Sequence, residues 1–279
     1  MKLRLYHHHD GARIAYREAG TGPPLALLHS KGLSHREWEP AVDELAHRYR
    51  VVLPDLPLHG DSEDRPSHPY TLAWTAELLG AFLHDACGPR PLAGGHELGA
   101  LILLEAMLAG ALRPGRLVLM SSSLHRRPQR SGLERSVAVA ARGAVVPGLD
   151  RALSHAGHLL LRPRLGDRLT ATGNPAARDL VRHALMDLGG NGNRARGWAK
   201  AVRGFPHGAR GDLLDRYATI DVPTLLLWAD ADDRHPLAIA EEALDLLPDA
   251  QLRVLPRTGF LLAYDDPVGV ARELAAFCG

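Results

Sequence analysis

Six short apolar runs, spaced along the chain with helical patterns between them, constrain the fold more than any other feature. "LALLH" (25–29), "VVLPD" (51–55), "PLAGG" (91–95), "RLVLM" (116–120), "PTLLLWA" (223–229) and "LRVLP" (252–256) read as strands. Helical periodicity lies near 36–47, 71–87, 97–110, 236–247 and 266–277. Strands that are apolar throughout bury both faces, which requires a parallel sheet covered by helices on each side. Two further segments, Leu3–His7 and Ala12–Glu18, flank "DG" at 10–11 and predict an opening hairpin. The expected class is therefore α/β: a mostly parallel, eight-stranded sheet with helices on both faces.

One stretch breaks the alternation. From 122 to 217 no strand pattern occurs, and the segment is rich in Arg, Gly and His. It reads as a helical cap inserted between a first core part, 1–121, and a second, 218–279. Ligands bind at the carboxyl ends of strands in open α/β sheets, so a cap there would enclose a pocket.

The bulk numbers exclude several function classes. Formal net charge is +1 over 279 residues, which makes no electrostatic case for nucleic acid or an anionic membrane surface. No apolar run is long enough to span a membrane, and the N-terminus lacks a signal-peptide pattern. The two cysteines, Cys87 and Cys278, have no metal or disulfide spacing and read as free thiols in a reducing compartment. A cytoplasmic protein is expected, with a small-molecule substrate as its partner and room for a homodimer. The "HHH" at 7–9 reads as surface residues of the hairpin, since alternation sends neighbours to opposite faces. No dinucleotide fingerprint, P-loop or metal-ligand spacing occurs, so neither cofactor nor metal is expected.

Four motifs, in order, carry a family resemblance. They are "LLHSKGLSHREW" (27–38), "PDLPLHGDS" (54–62), "GGHELG" (94–99) and "LLLWADADDRHP" (225–236). Together they resemble the α/β-hydrolase superfamily over essentially the whole chain. The resemblance implies an oxyanion loop at the first motif, a strand-to-helix nucleophile elbow at the third and the triad acid at the fourth. The elbow presents a reactive side chain on a strained turn, with glycines that let the backbone approach closely. The family's serine position is Glu97 here, and its histidine position, after Gly259, is Phe260. Asp232, four residues before Pro236, matches the acid. Ser–His–Asp hydrolysis needs a hydroxyl and a base within hydrogen-bond reach, and this chain has neither at those positions.

Glu97 and Asp232 are thus the candidate catalytic residues. His29, Ser30, Lys31, Leu98 and Phe260 form the candidate substrate-contacting set. Ser30 and Lys31 depart from the family loop, and Lys31, one of three lysines, has a side chain that can turn toward Glu97. His29, His59 and His96 match loop positions where histidine has a structural role. One of His125, His155, His158, His183 and His207 could reach the pocket from the cap. Three functions stand open. Glu97 is a general acid or base in a non-hydrolytic elimination, isomerisation, cyclisation or addition. Alternatively it is a carboxylate nucleophile of the epoxide or halide type, or the chain is a ligand-binding pseudoenzyme. The arginine-rich composition suggests a GC-rich bacterial source, a setting compatible with natural-product biosynthesis.

Overall fold

The computed structural model describes residues 1–128, 167–189 and 192–279. Eight strands form one sheet: β1 Lys2–His7, β2 Arg13–Ala19, β3 Pro24–Leu28, β4 Arg50–Pro54, β5 Leu92–His96, β6 Arg116–Met120, β7 Thr224–Ala229 and β8 Ala250–Leu255. Their spatial order is β1-β2-β4-β3-β5-β6-β7-β8. The pairs β1–β2 and β2–β4 are antiparallel, and every later pair is parallel. The mostly parallel eight-stranded sheet expected from the apolar runs is the one observed.

The pleat divides the core. In β3, Leu25 and Leu27 point to one face while Ala26 and Leu28 point to the other; β6 splits Val118 and Met120 from Leu117 and Leu119 in the same way. The first face packs on α1 (Glu39–Ala46) and α9 (Pro267–Cys278). The second packs on α2 (Leu72–Cys87), α3 (Leu98–Leu108) and α7 (Ala238–Leu246). Helix ends follow local chemistry. Thr71 accepts from the Trp74 N–H to cap α2, and Asp266 accepts from the Gly269 N–H to cap α9, which opens with Pro267.

Two local expectations are corrected. The helix expected over 36–47 is two pieces, a 3₁₀ turn His35–Trp38 capped by Ser34 and then α1, which has Pro40 in its first turn. Pro has no N–H to donate and fits a helix start better than its interior. Of the three histidines at 7–9, His8 is buried rather than superficial. It lies past the end of β1, and its Nδ1 is 2.8 Å from Asp10 Oδ1.

Within the expected cap, 122–217, residues 129–166, 190 and 191 lie outside the described residues. The described remainder contains α4 (Ala176–Gly189), α5 (Gly192–Gly204), α6 (Asp212–Arg216) and a 3₁₀ turn at Tyr217–Thr219. Helix α5 rests on the loop after β4: Arg194 donates to the Gly60 carbonyl, Lys200 to the carbonyls of Pro66 and His68, and Trp198 stacks edgewise on His59. Helix α4 packs Ala177, Leu180 and Val181 against Phe260, Leu261 and Tyr264. No described helix is long and apolar enough to cross a membrane. Both cysteines are free thiols.

Candidate active site

The turn between β5 and α3 places Glu97 at φ 46° and ψ −100°, a left-handed conformation that L-residues rarely adopt. Such a residue costs about 1–3 kcal/mol and persists only where its surroundings enforce it. Here Glu97 N–H donates to the Met120 carbonyl at 3.1 Å, and Ser122 Oγ donates to the Glu97 carbonyl at 3.0 Å. The flanking glycines are required sterically. A Cβ on Gly95 would lie 2.4 Å from the Gly99 carbonyl carbon, and one on Gly99 would lie 2.5 Å from the Leu28 oxygen.

This geometry gives the carboxylate two different oxygens. Oε2 accepts from the backbone N–H of Leu98 at 2.7 Å and of Lys31 at 2.8 Å. These are the residue after the elbow and a residue of the β3 loop, the pair of donors from which an oxyanion hole is built. In this chain both donors are engaged by the Glu97 carboxylate. Oε1 has no hydrogen bond among the described residues. Glu97 is half-buried in the wall of a shallow depression of about 360 Å³, open solvent included, shared with Leu98, Leu101, Ser122, Leu124 and Arg210.

Lys31 meets Glu97 through its backbone, not through the ammonium expected from the sequence, and the residue is exposed. His29 and Ser30 are both fully buried. His29 Nδ1 bonds the Ser30 carbonyl at 2.8 Å, and its Nε2 accepts from Leu56 N–H at 2.9 Å. Both ring nitrogens are thus committed to backbone, and burial lowers the His29 pKa. Ser30 sends its N–H (2.7 Å) and its Oγ (2.9 Å) to Oε2 of Glu37. Gly32 N–H donates to His59 Nε2 at 2.9 Å. Three successive amides of this loop, at 30, 31 and 32, therefore each have their own side-chain acceptor. The polar groups of His29 and Ser30, expected to contact substrate, are engaged in this wiring.

His96, one residue before Glu97, forms a short contact through Nδ1 with Glu37 Oε1 in the fully buried interior. Burial alone would lower the His96 pKa; Glu37, with Asp232 and Glu97 nearby, outweighs it and raises the value above the ordinary 6.5. Burial alone would raise Glu37, but His96 and the Ser30 N–H hold it below the usual carboxylate value. The pair is consequently ionic. His96 Nε2 is buried with no hydrogen-bond partner among the described residues, and its ring lies 4.6 Å from that of Phe260, centroid to centroid.

Asp232 is not joined to Glu97 by any hydrogen bond. Its Oδ2 is 2.7 Å from Nδ1 of His235, a buried residue that the motif reading passed over although it stands three positions later in the same loop. Burial raises the Asp232 pKa, and His235 more than reverses the effect. Phe260 fills the space between: His235 stacks on it at 5.9 Å, and the Arg234 guanidinium lies 5.3 Å from its centroid.

Of the histidines expected near the cap, His125 is spent on Glu242 (2.8 Å) and the Tyr217 hydroxyl (3.2 Å), and His183 on the Asp179 carbonyl. His207 is half-buried and partnered. His155 and His158 lie outside the described residues. No group of side chains suited to a metal ion occurs among the described residues.

A crossed α/β sheet with a strained elbow between β5 and α3, facing an acid loop after β7, defines the α/β-hydrolase class. The chain matches the Alpha/beta hydrolase family over residues 25–273 and belongs to it. It is 27% identical over 269 residues to the pimeloyl-[acyl-carrier protein] methyl ester esterase of Vibrio campbellii, covering 94% of this chain and 98% of that one. It is 26% identical over 276 residues to an uncharacterized Mycobacterium tuberculosis protein, covering 96% and 77% respectively. Among solved structures, an alpha/beta hydrolase fold protein from Burkholderia ambifaria superposes with a TM-score of 0.80 at 25% identity, covering 99% and 98% of the two chains.

Proposed function

We propose that this family member is an enzyme whose working group is the Glu97 carboxylate, acting as general acid and base on a small organic substrate in a non-hydrolytic reaction. Elimination, isomerisation, cyclisation and addition all fit, since each moves a proton without an acyl-enzyme. One observation carries the reading: Oε2 is clamped by two backbone N–H groups while Oε1 accepts no hydrogen bond among the described residues, and Glu97 lines the depression. A base fixed by one oxygen offers the other in a defined direction, which removes the orientational cost of proton transfer. The atypical triad supports the same view. A carboxylate stands where the family's serine stands, Phe260 has no proton to accept or give, and the hole donors are already engaged.

Similarity to a methyl ester esterase speaks for hydrolysis; against it, Ser–His–Asp hydrolysis needs a hydroxyl and a base, and this chain carries Glu97 and Phe260 at the positions read for them.

The same clamp favours one second reading, a carboxylate nucleophile, because the carbonyl oxygen of a Glu97 ester would keep both N–H donors. Hydrolysing that ester requires an activated water, and the only Asp–His dyad of the acid loop, Asp232–His235, lies against the Phe260 ring. Glu97→Gln retains an oxygen for the clamp but loses the proton acceptor, and Glu97→Ala loses both. Against a panel of small carbonyl, hydroxy and epoxide compounds, both variants are expected to lose about 10²–10⁴-fold in turnover. Intact-protein mass spectrometry during turnover should show unmodified Glu97. An adduct there would establish the nucleophile instead, full turnover by both variants would remove Glu97 from the chemistry, and binding without conversion would make the chain a pseudoenzyme.

A further inference from the structure

We infer that Glu37 is a positioning residue that ties the loop bearing one donor of the Glu97 clamp to the strand end that carries Glu97 itself. The inference rests on Glu97 being the working group, and concerns what holds it. Glu37 sits on the 3₁₀ turn His35–Trp38, touches neither Glu97 nor the depression, and is almost fully buried. Its two oxygens face in different directions. Oε2 takes both donors of Ser30, the residue before Lys31, and Oε1 takes Nδ1 of His96, the residue before Glu97. One carboxylate therefore ties the loop that supplies the Lys31 N–H to the strand end that supplies Glu97.

The alternative to a tie is a packing residue, and energetics argue against it. A buried ion pair costs several kcal/mol of desolvation per ion, and an apolar pair of similar volume is often as stable or more so. A leucine or methionine at 37 would fill the space beside Trp38 and His96 without that cost. What it would not do is fix the direction of the 29–30 peptide. The next peptide, which bears the Lys31 N–H, is fixed by His29 Nδ1 on the Ser30 carbonyl, with Leu33 N–H as a second donor at 3.3 Å. The β3 loop thus has two anchors on its own side, His29 and His59, and Glu37 is the anchor that also reaches across to β5.

The chain allows an unusually direct test, because it has three lysines. Labelling with ¹⁵N-lysine gives backbone amide signals for Lys2, Lys31 and Lys200 only, and Lys31→Arg identifies the middle one by its loss. Glu97→Ala calibrates how far the Lys31 amide proton moves when its acceptor is removed. In Glu37→Gln and Glu37→Asp the Lys31 signal is expected to move by a comparable amount, while Lys2 and Lys200 stay within a line width. Ser30→Ala, which deletes one donor and leaves no charge unpaired, should move it in the same sense and covers the case in which the Glu37 variants do not fold. With a converted substrate, Glu37→Gln should lower kcat on the order of 10²-fold with little change in KM, as misplacement of a reacting group by about 1 Å does. Folded Glu37 variants with an unmoved Lys31 amide would overturn the inference. The spectrum needs no substrate, so this failure is distinct from retained turnover in Glu97→Gln, which would remove the acid–base reading and leave the tie standing.

Discussion

At Glu97 a side chain does what a bound intermediate does elsewhere in this fold. Its Oε2 occupies the two-amide hole, so the hole cannot at the same time stabilise a substrate oxyanion. If Glu97 and Phe260 hold the positions proposed for them, Glu97→Ser with Phe260→His should empty the pair of amide donors and supply a hydroxyl and a base. The double variant is expected to hydrolyse p-nitrophenyl acetate measurably above wild type, while Glu97→Ser alone gains little, since a hydroxyl without a base is a weak nucleophile. The gain will be limited by His96. An imidazole at 260 would sit against a second imidazole, one whose pKa is raised by Glu37, where a phenyl ring now lies 4.6 Å away. The Glu37–His96 pair also predicts a pH dependence of stability. The raised His96 pKa contributes fully below 6.5 and is lost as pH rises through its folded-state value; the lowered Glu37 pKa contributes fully above 4.5 and is lost as pH falls through its own. Their joint contribution is therefore greatest between about pH 4.5 and 6.5. Urea unfolding should show Glu37→Gln less stable than wild type by about 3–5 kcal/mol in that window, with a smaller difference on either side. A gap that stays flat from pH 4 to 9 would contradict an ionic pair.

Elements were legible in the sequence to the extent that one periodicity decided them. Strands β3 to β7 could be read because they are apolar on both faces, β1 and β2 because they flank the turn at 10–11, and α2, α3, α7 and α9 because each carries a continuous buried stripe. The 3₁₀ turn at His35–Trp38 could not, since its hydrogen bonding depends on the Ser34 cap and on Asp55, twenty positions away, which receives the His35 N–H and Nδ1. Asp55 is held near a pKa of about 2: burial raises it, and His35 reverses the effect. The elbow was legible in full, because Gly95 and Gly99 at fixed spacing leave little other backbone geometry. Gly99→Ala should cost about 1–3 kcal/mol, since the clashing Leu28 carbonyl is strand backbone and cannot turn aside. Calorimetry that found this variant as stable as wild type would show that the elbow is less tightly packed than described.

Across the whole molecule, the candidate site was half visible. Glu97 and Asp232 stood out because they fall on motif positions. Glu37 and His235 did not, for different reasons. Glu37 gains its meaning from His96, fifty-nine positions later, whereas His235 was within reach of a local reading that paired it with Asp232. The same holds for Asp265, which binds the residues under α4 to the Phe260 loop. Its carboxylate accepts from the N–H groups of Gly259 (2.8 Å), Ala171 (2.8 Å) and Thr172 (2.9 Å) and from the Thr172 hydroxyl. Asp265→Ala leaves these donors unpaired, at about 1–3 kcal/mol for each one that water does not reach. Hydrogen exchange should therefore quicken at 170–172 and 259–262 together while β3 and β5 remain protected. Exchange confined to one of the two segments would show that they are not joined through Asp265.

The proposed function turns on a single oxygen, Oε1 of Glu97, and one comparison addresses it directly: kcat/KM of wild type against Glu97→Gln on a compound that wild type converts. With the clamp retained and only the proton acceptor removed, the account predicts a loss of at least about 10²-fold, carried by kcat, with no adduct on Glu97. A Glu97→Gln enzyme that turns over at the wild-type rate would contradict it.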